Sequence, residues 1–240
     1  MAKSRSIIRL RGTLGGVTFV DSAAYGTHTR LPRGTHKPAN VNASLQANAD
    51  RAKAVTAFGK GLLPLLKAEG ETFYRKDLWQ LLLKRLFGSL SADAGSLVEM
   101  LPGLELHDAY PLERLVTLDV EATAAQGKLT GRLLLRPLSH KGVKAVRFSL
   151  VVLWTDGTRW EDAPALQEWV AVNSRAAEAA LPFAEAAPRW ASHYALLLKA
   201  EGGDGTRVSG SFAEMGMQVV GSGKVRKKLN HIDAKKTKQH

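Results

Sequence analysis

The chain has 240 residues, 45% of them hydrophobic and 23% charged, with 34 Lys plus Arg against 22 Asp plus Glu for a net charge of +12, and no cysteine. That composition is globular rather than disordered, and the length allows one large domain or two of ordinary size, either able to bury a core without cross-links. The missing thiols exclude disulfides, cysteine nucleophiles, iron–sulfur clusters and every zinc site that needs sulfur, and they leave the redox compartment open.

The N-terminal stretch begins with cations, as a signal peptide does, but Arg9 and Arg11 interrupt the apolar run it would need and no small-residue cleavage site follows. It reads as mature protein. Ile7 to Val20 predicts a β-hairpin, because two β-branched and apolar runs meet at Gly15-Gly16, a pair that supplies the positive φ angles of a tight turn. Within the first run Ile8 and Leu10 alternate with Arg9 and Arg11, which puts apolar groups on one face and cations on the other. Tyr25 to Arg30 is a candidate third strand, and residues 31 to 41, with two prolines and a glycine, read as a loop.

Helical spacing begins near Asn42, with Leu45, Ala49, Ala52, Val55, Phe58, Leu62 and Leu66 recurring at three and four residues. Gly59, Gly61 and Pro64 predict a kink or a break near residues 60 to 64. A second helix is expected from about Glu71 to Phe87, with a wide apolar arc, and Ser96 to Leu101 as a further short turn before Pro102-Gly103.

From Leu104 the period changes to two. Short runs around residues 115–123, 128–138, 145–154, 167–172, 178–186, 192–202 and 215–223 are separated by turn signals such as Gln126-Gly127, Asp156-Gly157 and Gly202 to Gly205. Seven such runs without helices between them predict an antiparallel β-sandwich. Trp154 and Trp160 flank the Asp156-Gly157 turn and are expected to face each other across the hairpin. The fold class is therefore α+β: a basic N-terminal hairpin and loop over 1–41, a helical segment over 42–103, an antiparallel sandwich over 104–223 and a basic tail over 224–240.

The Gly12-Thr13-Leu14-Gly15-Gly16 run with the following Val17-Thr18-Phe19, the downstream Tyr25-Gly26 and Arg30, the Gly61 to Lys67 helix and the Ser192 to Glu201 strand resemble a family of uncharacterised proteins common in Bacteroidetes. Members open on a similar G-T-I-G-G segment followed by a helical region and a β-rich half. The resemblance implies that layout and no activity, and Val20 stands where the family carries an aromatic residue.

Motifs that would carry chemistry fail on their spacing. Gly223-Lys224 is followed by Val225, and residue 218 is Gln, so the phosphate-loop pattern is broken at both ends. The glycines of residues 12–16 open onto a strand and not onto the helix N-terminus that would hold a pyrophosphate. The seven histidines form no HExxH and no i, i+4 pair, and no G-x-S-x-G elbow exists, so no metal, cofactor or catalytic residue is assigned. Glu161-Asp162 lies just beyond a hairpin tip, where carboxylates are ordinarily solvated.

The charge itself is unevenly placed. Residues 1–41 and 224–240 each carry seven cations and one anion, whereas 42–103 nets +2 and 104–223 nets −2. A polyanion would therefore meet the ends: Arg5, Arg9, Arg11, Arg30, Arg33 and Lys37 at one, and Lys224, Arg226, Lys227, Lys228, Lys235, Lys236 and Lys238 at the other. No aromatic residue interleaves the tail cations, so stacking on bases is not indicated. The expectation is a non-enzymatic accessory protein that binds nucleic-acid backbone without sequence preference. Its alternative is a structural protein that self-associates by strand pairing and carries solubilising tails. No run of some 18 to 20 apolar residues is present, so a soluble, cytoplasmic chain with no membrane partner is expected.

Overall fold

Each of the seven alternating runs of the C-terminal half lies within or overlaps an antiparallel strand, although the strand expected at 167–172 begins at Trp160 and a two-residue strand at Leu104–Glu105 has no counterpart among the runs. The computed structural model describes residues 12–14, 17–22, 26–30, 42–71, 74–138, 142–172 and 178–226. The fold is α+β, dominated by antiparallel sheets with one long helix. Two compact units divide it, Met1–Ala47 and Asn48–His240.

The first unit holds β1 (Gly12–Leu14), β2 (Val17–Ser22) and β3 (Gly26–Arg30) in a three-stranded antiparallel sheet of order β1-β2-β3. Leu14 pairs with Val17, so β1 and β2 form an antiparallel pair as the sequence predicts, while the expected turn residues Gly15 and Gly16 lie outside the described residues. Thr27 donates a hydrogen bond to Asp21 across the β2–β3 pair at 3.2 Å. Ile7 to Arg11 lie outside the described residues.

α1 spans Ala43–Gly70, and the Asn42 side chain caps it by accepting from the Ser44 N–H at 3.0 Å. The expected break near residues 60 to 64 does not occur: the helix runs through Pro64. Pro64 and Lys60, whose carbonyl loses its partner, are both exposed, so the vacated hydrogen bond faces solvent. The two glycines are contact sites rather than breakers. A Cβ on Gly59 would lie 3.1 Å from the Trp79 ring, and one on Gly61 would lie 2.9 Å from Trp160. Of the predicted apolar face, Leu45 and Ala49 are exposed and burial begins at Val55.

The second helix, α2 (Leu78–Leu86), starts later than its periodicity implies. Glu71, at φ 47°, ends α1, and Tyr74 is drawn into a bridge with His107 before the chain can turn helical again. Leu78, Leu82 and Leu86 form its buried face. The short α3 (Ala94–Val98) follows, capped by Asp93, which accepts from the Ser96 N–H.

Beyond it come β4 (Leu104–Glu105), β5 (Val116–Ala125), β6 (Lys128–Pro137), β7 (Ala145–Thr155), β8 (Trp160–Ala171), β9 (Ala179–Ala186), β10 (His193–Gly203) and β11 (Met215–Lys224). They form a five-stranded sheet of order β4-β11-β10-β7-β8 and a three-stranded sheet of order β5-β6-β9. The Gln126-Gly127 turn joins β5 to β6 with both residues at positive φ, 54° and 77°, which matches the right-handed twist of the strands it connects. Pro164 and Pro182 sit on the edge strands β8 and β9, where a missing N–H breaks no interior ladder.

Two buried clusters flank the five-stranded sheet. On one face Phe148, Leu150, Val152, Trp154, Leu196 and Leu198 meet Leu129, Leu133, Leu135 and Phe183 of the three-stranded sheet. On the other, Val151, Leu153, Ala195 and Leu197 meet Phe58, Leu62, Leu66, Leu78, Leu82 and Leu86 of the helices. Each fully buried leucine contributes roughly 1.5–3 kcal/mol by transfer from water. The helical segment is thus one wall of the second unit's core. This geometry also corrects the expected tryptophan pair. Trp154 pairs with Glu161 and Trp160 with Thr155, so the two indoles lie on opposite faces of the sheet. Trp154 stands edge-on to Tyr194 at 6.2 Å in the first cluster, and Trp160 edge-on to Phe58 at 5.0 Å against the second.

Gly131, in the middle strand of the three-stranded sheet, tests how tightly this core is closed. A Cβ there would be driven into the Glu121 carbonyl oxygen and stand 2.7 Å from the Phe183 ring. Gly131→Ala should destabilise the protein by about 1–3 kcal/mol, the usual cost of overpacking, read as a lowered denaturation midpoint at unchanged m-value.

Candidate functional site

Of the cations assigned to polyanion binding, Arg30, Lys224 and Arg226 fall within the described residues. Arg5, Arg9, Arg11, Arg33, Lys37, Lys227, Lys228, Lys235, Lys236 and Lys238 lie outside them. Arg30 is exposed at the end of β3. Lys224 is exposed at the end of β11. Val225 is buried in the first cluster and its N–H donates to the Ser192 carbonyl at 2.8 Å. Arg226, the last of the described residues, is exposed.

Lys224 does not stand in a field of its own sign. It shares a recess of about 420 Å³ with Asp93, Glu99, Asp156, Ser192 and His193. Ser192 Oγ and His193 Nδ1 lie 2.8 Å apart, the spacing of a hydroxyl and a base. Burial, then the Lys224 charge, lowers the imidazole's pKa and favours its neutral form. The neighbouring Asp93 is committed elsewhere, accepting from the Ser96 N–H at 3.0 Å and the Ser96 hydroxyl at 2.7 Å, which holds its carboxyl far below the usual range. The recess is a capped helix start beside a Ser–His contact, and among the described residues no third group is seen to orient the ring.

A second recess, of about 520 Å³, lies on the helix-bearing face of the five-stranded sheet, past the end of α1. Strand register explains it. Val151 pairs with Leu197 and both are apolar, but one step along the same face Ser149 pairs with Lys199, and one further Arg147 pairs with Glu201. Gln167 and Trp169 of β8 extend these two rows. Arg147 closes on Glu201 with Nη2 at 2.6 Å and Nε at 3.1 Å from Oε2, and Lys199 Nζ lies 3.4 Å from Oε1. Glu201 is almost fully buried, its side chain 5% exposed. The rim is acidic. Glu71 approaches Lys199 at 3.6 Å, and the Glu69 carboxyl is pushed up by burial and then by the negative charge of Asp162. Glu161-Asp162 is therefore no pair: the two alternate across β8, both exposed, and Asp162 acts on Glu69.

The cluster of Arg147, Ser149, Lys199 and Glu201 is absent from the sequence-based assignment. Its signal is polar residues at alternate positions inside the two most apolar strands, Arg147-x-Ser149 and Lys199-x-Glu201.

A third feature is Glu105, the outer residue of the two-residue β4. Its Oε2 accepts from the Leu112 N–H at 3.3 Å and its Oε1 from the Gln218 amide at 2.5 Å. Burial raises its pKa to about 7, with Glu113 adding to the rise and the two hydrogen bonds opposing it. Among the described residues no group of three or more His, Asp and Glu could hold a metal ion, and no helix is long and apolar enough to cross a membrane. Neither a family model nor a curated protein matches the chain.

Glu105 makes stability depend on pH in a definite direction. Its folded pKa, about 7, stands above the unfolded value of 4.5, so the folded state binds the proton more tightly. The stabilisation is complete below about 4.5 and is lost as pH rises through about 7. Glu105→Gln keeps an acceptor for the Leu112 N–H and offers its NH2 to a flipped Gln218 amide. The variant should melt higher than the parent at pH 8 and converge with it near pH 5 in a series of thermal scans.

Proposed function

We propose that the chain is a non-enzymatic binding protein whose basic ends contact nucleic-acid backbone without sequence preference, with the two sheets that share the first cluster acting as a β-sandwich scaffold. The carrying observation is the segregation of charge: +6 in residues 1–41, +6 in 224–240, and none in the 182 residues between. The intervening body answers many of its cations internally. Arg75 faces Asp77, Arg132 faces Glu121, Arg147 faces Glu201 and Arg159 faces Asp156, at 2.6–3.3 Å. Arg85 spends its guanidinium on the carbonyls of Pro102 and Gly103. A polyanion thus finds surplus charge only at the two ends, in segments suited to sequence-independent phosphate contact.

Self-association by strand pairing is a second reading, favoured by β5. Among the described residues this ten-residue edge strand pairs with β6 alone and carries neither proline nor bulge, unlike β8 with Pro164 and its register shift beside Leu150/Val151. Light scattering over a concentration series distinguishes the readings, since a monodisperse monomer throughout, with or without residues 1–20, removes the second.

Phosphate contact has a salt signature. For about five neutralised phosphates, the logarithm of duplex affinity should fall against the logarithm of salt with a slope of about −4.5. Truncation after Arg226 spares the buried Val225 and removes Lys227, Lys228, Lys235, Lys236 and Lys238. It should weaken binding and flatten the slope in a fluorescence-anisotropy titration; binding indifferent to salt, or a truncated chain that behaves as the parent, would overturn the reading.

A further inference from the structure

The side of the second unit bordered by β5 is open in both sheets. β5 ends the three-stranded sheet, and β4 covers β11 only at Gln218 and Val219, so Val220 lies past that cover. Between β5 and β11 runs a groove of about 450 Å³ with Leu112, Val116, Leu118, Val120 and Val220 as its apolar lining. Its charged lining residues are Glu113 and Asp119, both exposed, and among the described residues no cation lines it.

The backbone of β5 offers this edge to a further strand. The Leu138 N–H donates to the Leu115 carbonyl at 2.8 Å, which makes 115 and 138 a hydrogen-bonded pair. An antiparallel ladder alternates, so residues 116, 118, 120, 122 and 124 turn their N–H and C=O groups away from β6. The Val120 N–H accordingly donates to Asp119 Oδ1, at 2.8 Å, and not into the ladder. Side chains of the same residues pack toward the first cluster, whereas Thr117, Asp119, Glu121 and Thr123 are exposed on the outer face. A strand laid on this edge therefore needs apolar residues at alternate positions, toward the groove, and cations between them, toward Asp119.

Two β5 strands do not satisfy that requirement together. Centred on Val120, such a pair sets Asp119 of each copy opposite Glu121 of the other, and like charges directly opposite are destabilising. The chain's own residues 7–11 do satisfy it, because Ile8 and Leu10 alternate with Arg9 and Arg11. This run leads into β1, an edge strand of the first unit's sheet. We infer that the β5 edge and its groove bind residues 7–11 of a second copy as an added antiparallel strand, with Leu10 against Leu118, Ile8 against Val120, Arg9 opposite Asp119 and Arg11 opposite Thr117. The antiparallel sense directs Arg11 to Thr117, which lines the groove with Glu113; the parallel one would set it against Glu121, already held by Arg132 at 2.6 Å. The inference rests on the self-association reading and names the two surfaces that meet. Because they differ, the contact is heterologous and copies add head to tail.

The chain has no cysteine, so single-cysteine variants report the contact directly. Residues 117 and 11 would form a non-hydrogen-bonded pair with Cα atoms about 4.5 Å apart, within disulfide reach. Full-length Thr117→Cys and Arg11→Cys proteins, mixed in a glutathione redox buffer, should form a 117-to-11 disulfide, identified by peptide mass spectrometry. Its yield should be at least tenfold above that from Thr123→Cys mixed with Arg11→Cys; Thr117 and Thr123 are both exposed, so both variants should fold. Asp119→Arg in the Thr117→Cys chain should lower the yield at least tenfold, and Arg9→Asp in the Arg11→Cys chain should restore it. A 117-to-11 link no more abundant than the 123-to-11 link, or a charge exchange that restores nothing, overturns the inference. Association by light scattering with 117-to-117 links and no 117-to-11 link keeps self-association through β5 and overturns this partner, whereas a monodisperse monomer removes both.

Discussion

Burial of β7 and β10 on both faces is the constraint from which the larger unit follows. These central strands put Phe148, Leu150, Val152, Leu196 and Leu198 on one side and Val151, Leu153, Ala195 and Leu197 on the other. Neither face can be left to water. Strands of one sheet cover the first and α1 to α3 cover the second, so a chain segment that looks like an independent helical region is a required layer. Antiparallel strands more often keep one wet face and alternate; near-continuous apolar runs belong to strands buried twice.

That distinction marks how far the sequence could be read. Seven runs in the C-terminal half became seven strands, because turn residues such as Gln126-Gly127 and Asp156-Gly157 punctuate them and local conformation is strongly set by such pairs. The antiparallel pairing of β1 with β2 was legible from the apolar and β-branched runs themselves. What failed was anything decided by a partner distant in sequence. Gly59 and Gly61 look like helix breakers in isolation, yet Trp79 and Trp160 fill the space their missing side chains leave. Trp154 and Trp160 look like partners across a turn, but the pairing Thr155 to Trp160 puts them one step out of phase. In a structure with period two, one step reverses the face.

The candidate site was illegible in a more specific sense. Arg147 and Ser149, like Lys199 and Glu201, are two residues apart, so each pair shares a face, which sequence can show. That the pairs are neighbours depends on β7 and β10 being adjacent although 54 residues separate Arg147 from Glu201. Nothing local in either strand specifies that adjacency. The basic ends, in contrast, are a property of composition and are visible at once; the geometry adds that the body between them pairs many of its own charges, and that the first two residues of the 224–240 segment belong to the fold, Lys224 in β11 and Val225 in the buried core.

Where the polar recess lies along the sheet is itself set by the length of α1. The helix covers the sheet while its buried residues last, through Leu62 and Leu66, and ends at Gly70, where an added Cβ would meet Tyr74 at 2.8 Å and Met217 at 3.3 Å. Glu71 then takes a positive φ and turns the chain away. The sheet continues for two more rows without that cover, and those are the rows in which Ser149, Lys199, Arg147 and Glu201 replace the apolar residues. An apolar strand continued past the end of its helix would expose hydrophobic surface, and a single charge there would stand half-desolvated and unpaired. A network of mutually paired charges is compatible with a surface that is neither fully covered nor open. The same requirement that closes the core therefore builds the concave, charged shelf beside it, and the end of one helix determines where apolar packing gives way to paired charges.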